Sequence, residues 1–155
     1  MMTSNERSGT APDYFRGLEA VAEKPSLVLA DDNQAVLSHV SAFLAKDFNI
    51  LAAVTDGESA LRNYQERHPD ALILDISMGK LGGLEVARRL RRKGSTVPIV
   101  FLTVHEEADF ISAALASGGS AYVVKSHLTK DLIPAIQAAL SGELFISPCL
   151  VYHHS

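Results

Sequence analysis

Four short apolar runs in this chain each end on a residue with chemistry to offer, and that pattern constrains the fold most. Leu27-Val28-Leu29-Ala30 runs into Asp31-Asp32, and Ala71-Leu72-Ile73-Leu74 runs into Asp75. Ile99-Val100-Phe101-Leu102 runs into Thr103, and Ala121-Tyr122-Val123-Val124 into Lys125. An apolar run without polar alternation is a strand buried on both faces, as a helix-covered parallel sheet requires. In an open α/β sheet the carboxyl ends of the strands line one edge, and ligands bind there. Three carboxylates, a hydroxyl and an ammonium gathered on that edge suit a divalent cation and a phosphoryl group.

The segments between the runs carry helical spacing. Val36, Leu37, Val40, Phe43 and Leu44 form a stripe after the first strand. Ile50 to Val54 reads as a second strand, followed by a helix with Ala60, Leu61 and Tyr64 that Asp56 caps. Beyond Asp75 a Gly-rich loop leads to a helix with Leu84, Val86, Ala87 and Leu90, stopped by Gly94. The strand Val97 to Leu102 precedes a helix marked by Ile111, Ala114 and Leu115 and closed by Gly118-Gly119. After the strand Tyr122 to Val124, a last helix uses Leu132, Ile133, Ile136, Ala139 and Leu140. Five strand–helix units predict a doubly wound (βα)5 three-layer α/β sandwich around a five-stranded parallel sheet.

At 155 residues the chain makes one domain with room for a core. Its 47% apolar and 21% charged residues are ordinary for a soluble protein. A net charge of −4 argues against broad nucleic-acid binding and against adhesion to an anionic membrane. Cys149 is the one cysteine, which excludes an intrachain disulfide framework and a thiolate metal cluster. With no bilayer-spanning run and no signal-peptide core, a cytoplasmic location is expected. Residues 1–25 read as an extension, mobile over its first dozen residues. Within it, Tyr14, Phe15, Leu18, Val21 and Ala22 share one face of a short helix over 13–23, with Asp13 as N-cap. The folded domain is expected over 26–148, with 149–155 as a tail.

Over residues 26–148 the arrangement resembles the receiver domain of bacterial two-component response regulators, whose fold is flavodoxin-like. The matching positions are Asp31 and Asp32, Asp75, Thr103 and Lys125, in order and each at a strand end. The loop after Asp75, Ile76-Ser77-Met78-Gly79-Lys80-Leu81-Gly82-Gly83, keeps the family's Met at its third position, Met78, and Gly at its eighth, Gly83. Tyr122 stands where the family has its switch aromatic. Phe101-Leu102-Thr103-Val104-His105 and Gly142-Glu143-Leu144-Phe145-Ile146-Ser147-Pro148 look like the LuxR-type (NarL/FixJ) subgroup.

The resemblance implies separate roles. Asp75 would accept the phosphoryl group from a sensor histidine kinase or a phosphotransfer protein, since a carboxylate can attack phosphorus and form an acyl phosphate. Mg²⁺ would be held by Asp31, Asp32, Asp75 and the Ser77 backbone carbonyl. Three carboxylates balance that cation and Lys125, and the acyl phosphate adds one negative charge. Lys125 and Thr103 would bind phosphoryl oxygens, and Tyr122 would follow Thr103 in a two-state switch. The product would hydrolyse slowly by itself, so the chain is not read as an enzyme acting on a separate substrate. The output face would combine the helix around 111–115, the strand 122–124 and the helix 132–140. That face, or the first and last helices of the domain, would serve a homodimer. The chain ends seven residues past Pro148. It is therefore expected to bind no DNA, either as a stand-alone regulator or as the receiver of a transcription regulator.

Taken singly, these residues have plainer readings. Asp31-Asp32 reads as a turn and N-cap, Asp75 as a loop residue and Lys125 as a solvated charge at a helix start. Thr103 reads as a strand residue and Tyr122 as core. His105 either tunes water access to the acyl phosphate or sits exposed at a helix start. The run Arg88 to Lys93 reads as a solvated face whose cations complement a helix dipole. Two other functions compete: an aspartate-nucleophile phosphatase of the haloacid dehalogenase type, and a pseudo-receiver that binds partners without phosphorylation. The first places a second aspartate where this chain has Ser77. The second draws on Gly79, where many receivers have proline and where glycine loosens the loop. Ser126 likewise replaces a common proline after the lysine.

Overall fold

The computed structural model describes residues 24–154. The helix expected over 13–23 lies outside them. From Ser26 the chain runs β1 (Ser26–Ala30), α1 (Gln34–Leu44), β2 (Asn49–Val54), α2 (Gly57–Arg67), β3 (Ala71–Leu74), α3 (Gly83–Arg92) and β4 (Ile99–Thr103). It continues with α4 (Ala108–Ala116), β5 (Ala121–Val124), a 3-10 turn (Lys125–His127), α5 (Leu128–Leu140), β6 (Phe145–Ile146) and α6 (Pro148–His154). All the strands are parallel, in the order β2-β1-β3-β4-β5-β6. The doubly wound reading stands, with one correction: the sheet has six strands rather than five. The added strand is two residues long, paired Ala121↔Phe145 and Tyr122↔Ile146. A pair that short carries no periodicity; it becomes a strand because the edge of β5 has backbone groups to satisfy.

Alternation along the inner strands sorts the core into two layers. Leu27, Leu29, Ala71, Ile73, Val100, Leu102, Ala121 and Val123 pack under α1 and α5. Val28, Ala30, Leu72, Leu74, Ile99, Phe101, Tyr122 and Val124 pack on the other face with residues of α2, α3, α4 and α6. Each apolar run is continuous because its odd and even residues serve opposite faces, each with its own helices. Fully burying one such side chain is worth about 1.5–3 kcal/mol. The alternation carries past the strand ends. Asp31, Asp75 and Lys125 continue the register of the α1–α5 face, and Thr103 continues that of the opposite face.

Local chemistry sets the helix starts. Asn33 caps α1 by accepting from the Val36 N–H at 3.1 Å, so the cap follows the two aspartates and leaves them free. Asp56 caps α2 through the Ser59 N–H at 2.7 Å, and that bond holds its carboxyl below the usual carboxylate range. The basic run on α3 is committed to local partners: Arg88, Arg89 and Arg92 pair with Glu85, and Arg89 reaches Glu58. Arg91 instead donates to the Ser95 and Gly118 carbonyls and ties the end of α3 to the end of α4.

The entry to α3 depends on Gly83, where a Cβ would collide with the Asp75 carbonyl oxygen. Only glycine lets α3 start so close to the end of β3. Gly83→Ala is expected to cost roughly 1–3 kcal/mol in urea denaturation, the usual penalty for forcing atoms into a packed contact. An unchanged midpoint would contradict this close approach.

Candidate functional site

The strand-end carboxylates meet where the sequence placed them. Asp31, Asp32 and Asp75 each offer an oxygen within 4.8 Å of the others. Asp31 and Asp75 are buried and Asp32 is exposed. Lys125 opens the 3-10 turn after β5 and brings its ammonium to 2.7 Å from Asp31 Oδ2 and 3.5 Å from Asp75 Oδ2. The Asn33 N–H donates to Asp31 Oδ1 at 2.8 Å, and the Ser77 N–H reaches Asp75 Oδ1 at 3.4 Å.

Burial pushes the Asp75 carboxyl above the usual carboxylate range. The charge of Asp31 adds to that rise, while Lys125 and the Ser77 N–H oppose it. Asp31 Oδ2 is sealed from solvent and accepts no well-formed hydrogen bond, with the Lys125 ammonium as its close ionic partner. Two buried carboxylates thus share one ammonium, and a third, Asp32, stands at the rim. All-oxygen donors with negative charge in excess fit a hard divalent cation that keeps part of its water shell.

Thr103 and Tyr122 lie on the opposite register and meet a different partner. Both are fully buried. Thr103 Oγ1 accepts the His105 N–H at 3.2 Å, and the Tyr122 hydroxyl donates to the His105 carbonyl oxygen at 2.8 Å. Burial, with the charges of Glu107 and Glu106, raises the Tyr122 phenol far above its ordinary value, so it stays protonated and remains a donor. The His105 backbone is therefore clasped from both sides by the two residues singled out as a switch.

His105 is neither at a helix start nor merely exposed. It lies in the loop between β4 and α4, with its ring stacked on Phe110 at 3.9 Å and Nε2 3.0 Å from Ser77 Oγ. The bond to Ser77 joins the loop after β4 to the loop after Asp75. Spacing alone showed His105 near Thr103; Phe110 and Ser77 enter only through the way the two loops fold. Gly79 adopts φ +50°, a left-handed conformation closed to proline, so its difference from many receivers is a different loop path. Between α1 and the start of α5, a groove of about 430 Å³ lined by Val36, His39, Lys125, Ser126 and Thr129 opens beside the ammonium. Among the described residues no helix is long and apolar enough to cross a membrane.

Residues 27–137 match the response regulator receiver domain family. The chain is 29% identical over 132 residues to the transcriptional regulatory protein DegU of Brevibacillus brevis, covering 84% of this chain and 56% of that protein. It is 33% identical over 116 residues to the transcriptional regulatory protein PrrA of Mycobacterium tuberculosis, covering 75% and 50%. Among solved structures, it is similar to a LuxR-family two-component response regulator from Aurantimonas sp. SI85-9A1. That likeness has a TM-score of 0.79 and 28% identity, covering 84% of this chain and 94% of the other. The chain spans about half the length of these two transcriptional regulatory proteins.

The raised Asp75 carboxyl has a thermodynamic consequence. The folded state holds its proton more tightly than the unfolded state does, so Asp75 favours folding at low pH. That contribution is lost as pH rises from the ordinary carboxylate value through the folded one. At neutral pH the ionised group opposes folding. In chelator-treated protein, Asp75→Asn is expected to raise stability by on the order of 1 kcal/mol at pH 7, with a smaller gain at pH 4. Urea denaturation at both pH values checks this; a loss of stability at pH 7 would contradict it.

Proposed function

The chain belongs to the response regulator receiver domain family of two-component signalling, and from that premise we propose that Asp75 is its phosphoacceptor. What carries the reading is the convergence of Asp31, Asp32 and Asp75 on one sheet edge, with the Lys125 ammonium among them. An Asp75 carboxylate oxygen attacks phosphorus of a phosphohistidine or a small acyl phosphate. The new O–P bond forms as the donor's bond to phosphorus breaks, and the leaving group departs with that electron pair. In the slow return step water attacks phosphorus, phosphate is released, its proton goes to solvent and the carboxylate is restored. Phosphoryl transfer of this kind rests on positioning and charge neutralisation. The reaction modifies the protein itself.

Asp31, Asp32, Asp75 and the Ser77 carbonyl are the residues that would hold Mg²⁺, which supplies charge neutralisation when bound. Lys125 leaves its 2.7 Å contact with Asp31 to meet a phosphoryl oxygen, for which a compact ammonium is suited. Thr103 exchanges the His105 N–H for another phosphoryl oxygen and so frees one side of the clasp that Tyr122 shares. His105, bonded to Ser77 and stacked on Phe110, stands where it would control water's approach to the acyl phosphate. The groove beside Lys125 would admit the donor, a sensor histidine kinase or a phosphotransfer protein. β6 lies along the edge of β5, and of the two homodimer faces expected from the sequence we favour the one built on α1 and α5.

Incubation with Mg²⁺ and acetyl phosphate is expected to add one phosphoryl group to the intact mass, and none to Asp75→Asn. An undiminished adduct in that variant, or none in wild type, would remove the mechanism. Asp32→Ala is expected to weaken Mg²⁺ binding by at least about tenfold by titration calorimetry. Unchanged affinity would take that residue out of the ligand set.

A further inference from the structure

The chain after α5 does not hang from the domain. Ser147 is fully buried: its N–H donates to the Tyr122 carbonyl oxygen at 2.9 Å, and its Oγ accepts the Val124 N–H at 3.1 Å. Leu150 is 2% exposed and packs in the layer that holds Tyr122, Val124 and Phe101. Its N–H closes back on the Ser147 carbonyl at 2.9 Å. Cys149 Sγ lies 3.2 Å from His127 Nδ1. The arm formed by β6 and α6 is therefore fastened at two places, on Tyr122–Val124 and on His127.

Both fastenings lead back to the strand-end site by short covalent paths. Lys125 and His127 bracket a single 3-10 turn. The ammonium at one end of it contacts Asp31 and Asp75, while the imidazole at the other end contacts the arm. Tyr122 joins the second path: its hydroxyl holds the His105 carbonyl, its ring packs in the layer with Leu150, and its own carbonyl holds Ser147. A closely packed strand transmits displacement because its neighbours have no void into which to relax.

We propose that this arm is the element whose docking reports the state of Asp75, and that it loosens when a phosphoryl group is present. This rests on Asp75 being the phosphoacceptor. The arm fits β5 in the arrangement where Lys125 is bonded to Asp31 and the Tyr122 hydroxyl to His105. A phosphoryl group draws Lys125 and Thr103 away from those partners, which disturbs both fastenings and creates no new contact for the arm.

Linkage supplies a two-sided test, since coupling between two sites is reciprocal. In hydrogen exchange on the full chain, beryllofluoride with Mg²⁺ is expected to speed exchange of the Ser147 and Leu150 amides roughly tenfold. Conversely, Ser147→Ala and the stronger Leu150→Ala are expected to raise beryllofluoride affinity at least about fivefold, with far-UV dichroism unchanged. Intact mass after acetyl phosphate separates the two layers of inference. No adduct on Asp75 overturns the phosphoacceptor and the coupling together. An adduct with unchanged or slowed arm exchange overturns the coupling alone, as do arm variants whose affinity is unchanged or lower.

Discussion

One ammonium is shared by two buried carboxylates, and much of the domain's construction serves that contact. Asp31 and Asp75 end neighbouring strands, so the sheet itself holds them near each other in a low-dielectric edge. Two such charges stay ionised at a reasonable cost only with a cation between them. Lys125 comes from β5, two strands away from β3, and the parallel order brings it to the same edge. Gly83 lets α3 begin against the carbonyl of Asp75, which fixes the end of β3 from below.

The residue alternation of the strands then divides labour. Asp31, Asp75 and Lys125 continue the register of the α1–α5 face, where charge is handled beside an open groove. Thr103 and Tyr122 share the register of the other face and meet at the backbone of His105, one on its N–H and one on its carbonyl. Ser77 touches both sides, its N–H reaching Asp75 and its hydroxyl meeting the His105 ring. The same packing that stabilises the sheet leaves a dense core with few intermediate arrangements.

Much of this was legible in the residues. The apolar runs announced buried parallel strands, and the residue after each run announced a site, since strand ends share an edge whatever the details of packing. Other features left no such trace. β6 is two residues long and exists only because β5 had an edge to pair. Arg91 looked like its neighbours in a basic run, yet it ties α3 to α4. His105 carried two readings, and its stacking on Phe110 with its bond to Ser77 follows from how two loops approach. Cys149 looked like the start of a tail, and Ser147 stood in a closing motif with no contact assigned to it. Their contacts with His127 and Tyr122–Val124 depend on a helix folding back over β5.

By itself, then, the sequence determined the first five strands, the helices that follow them and the set of charged groups at the carboxyl edge. Hydrophobic periodicity and strand polarity are local properties, and they need no knowledge of distant contacts. Only the tertiary structure decided which partner each polar group takes: Lys125 on Asp31 more closely than on Asp75, Thr103 on His105, Ser147 on Tyr122. Such choices turn on angles and tenths of an ångström between segments remote in the chain. A hydrogen bond is a short-range, directional interaction, and between remote segments no pattern along the chain encodes it.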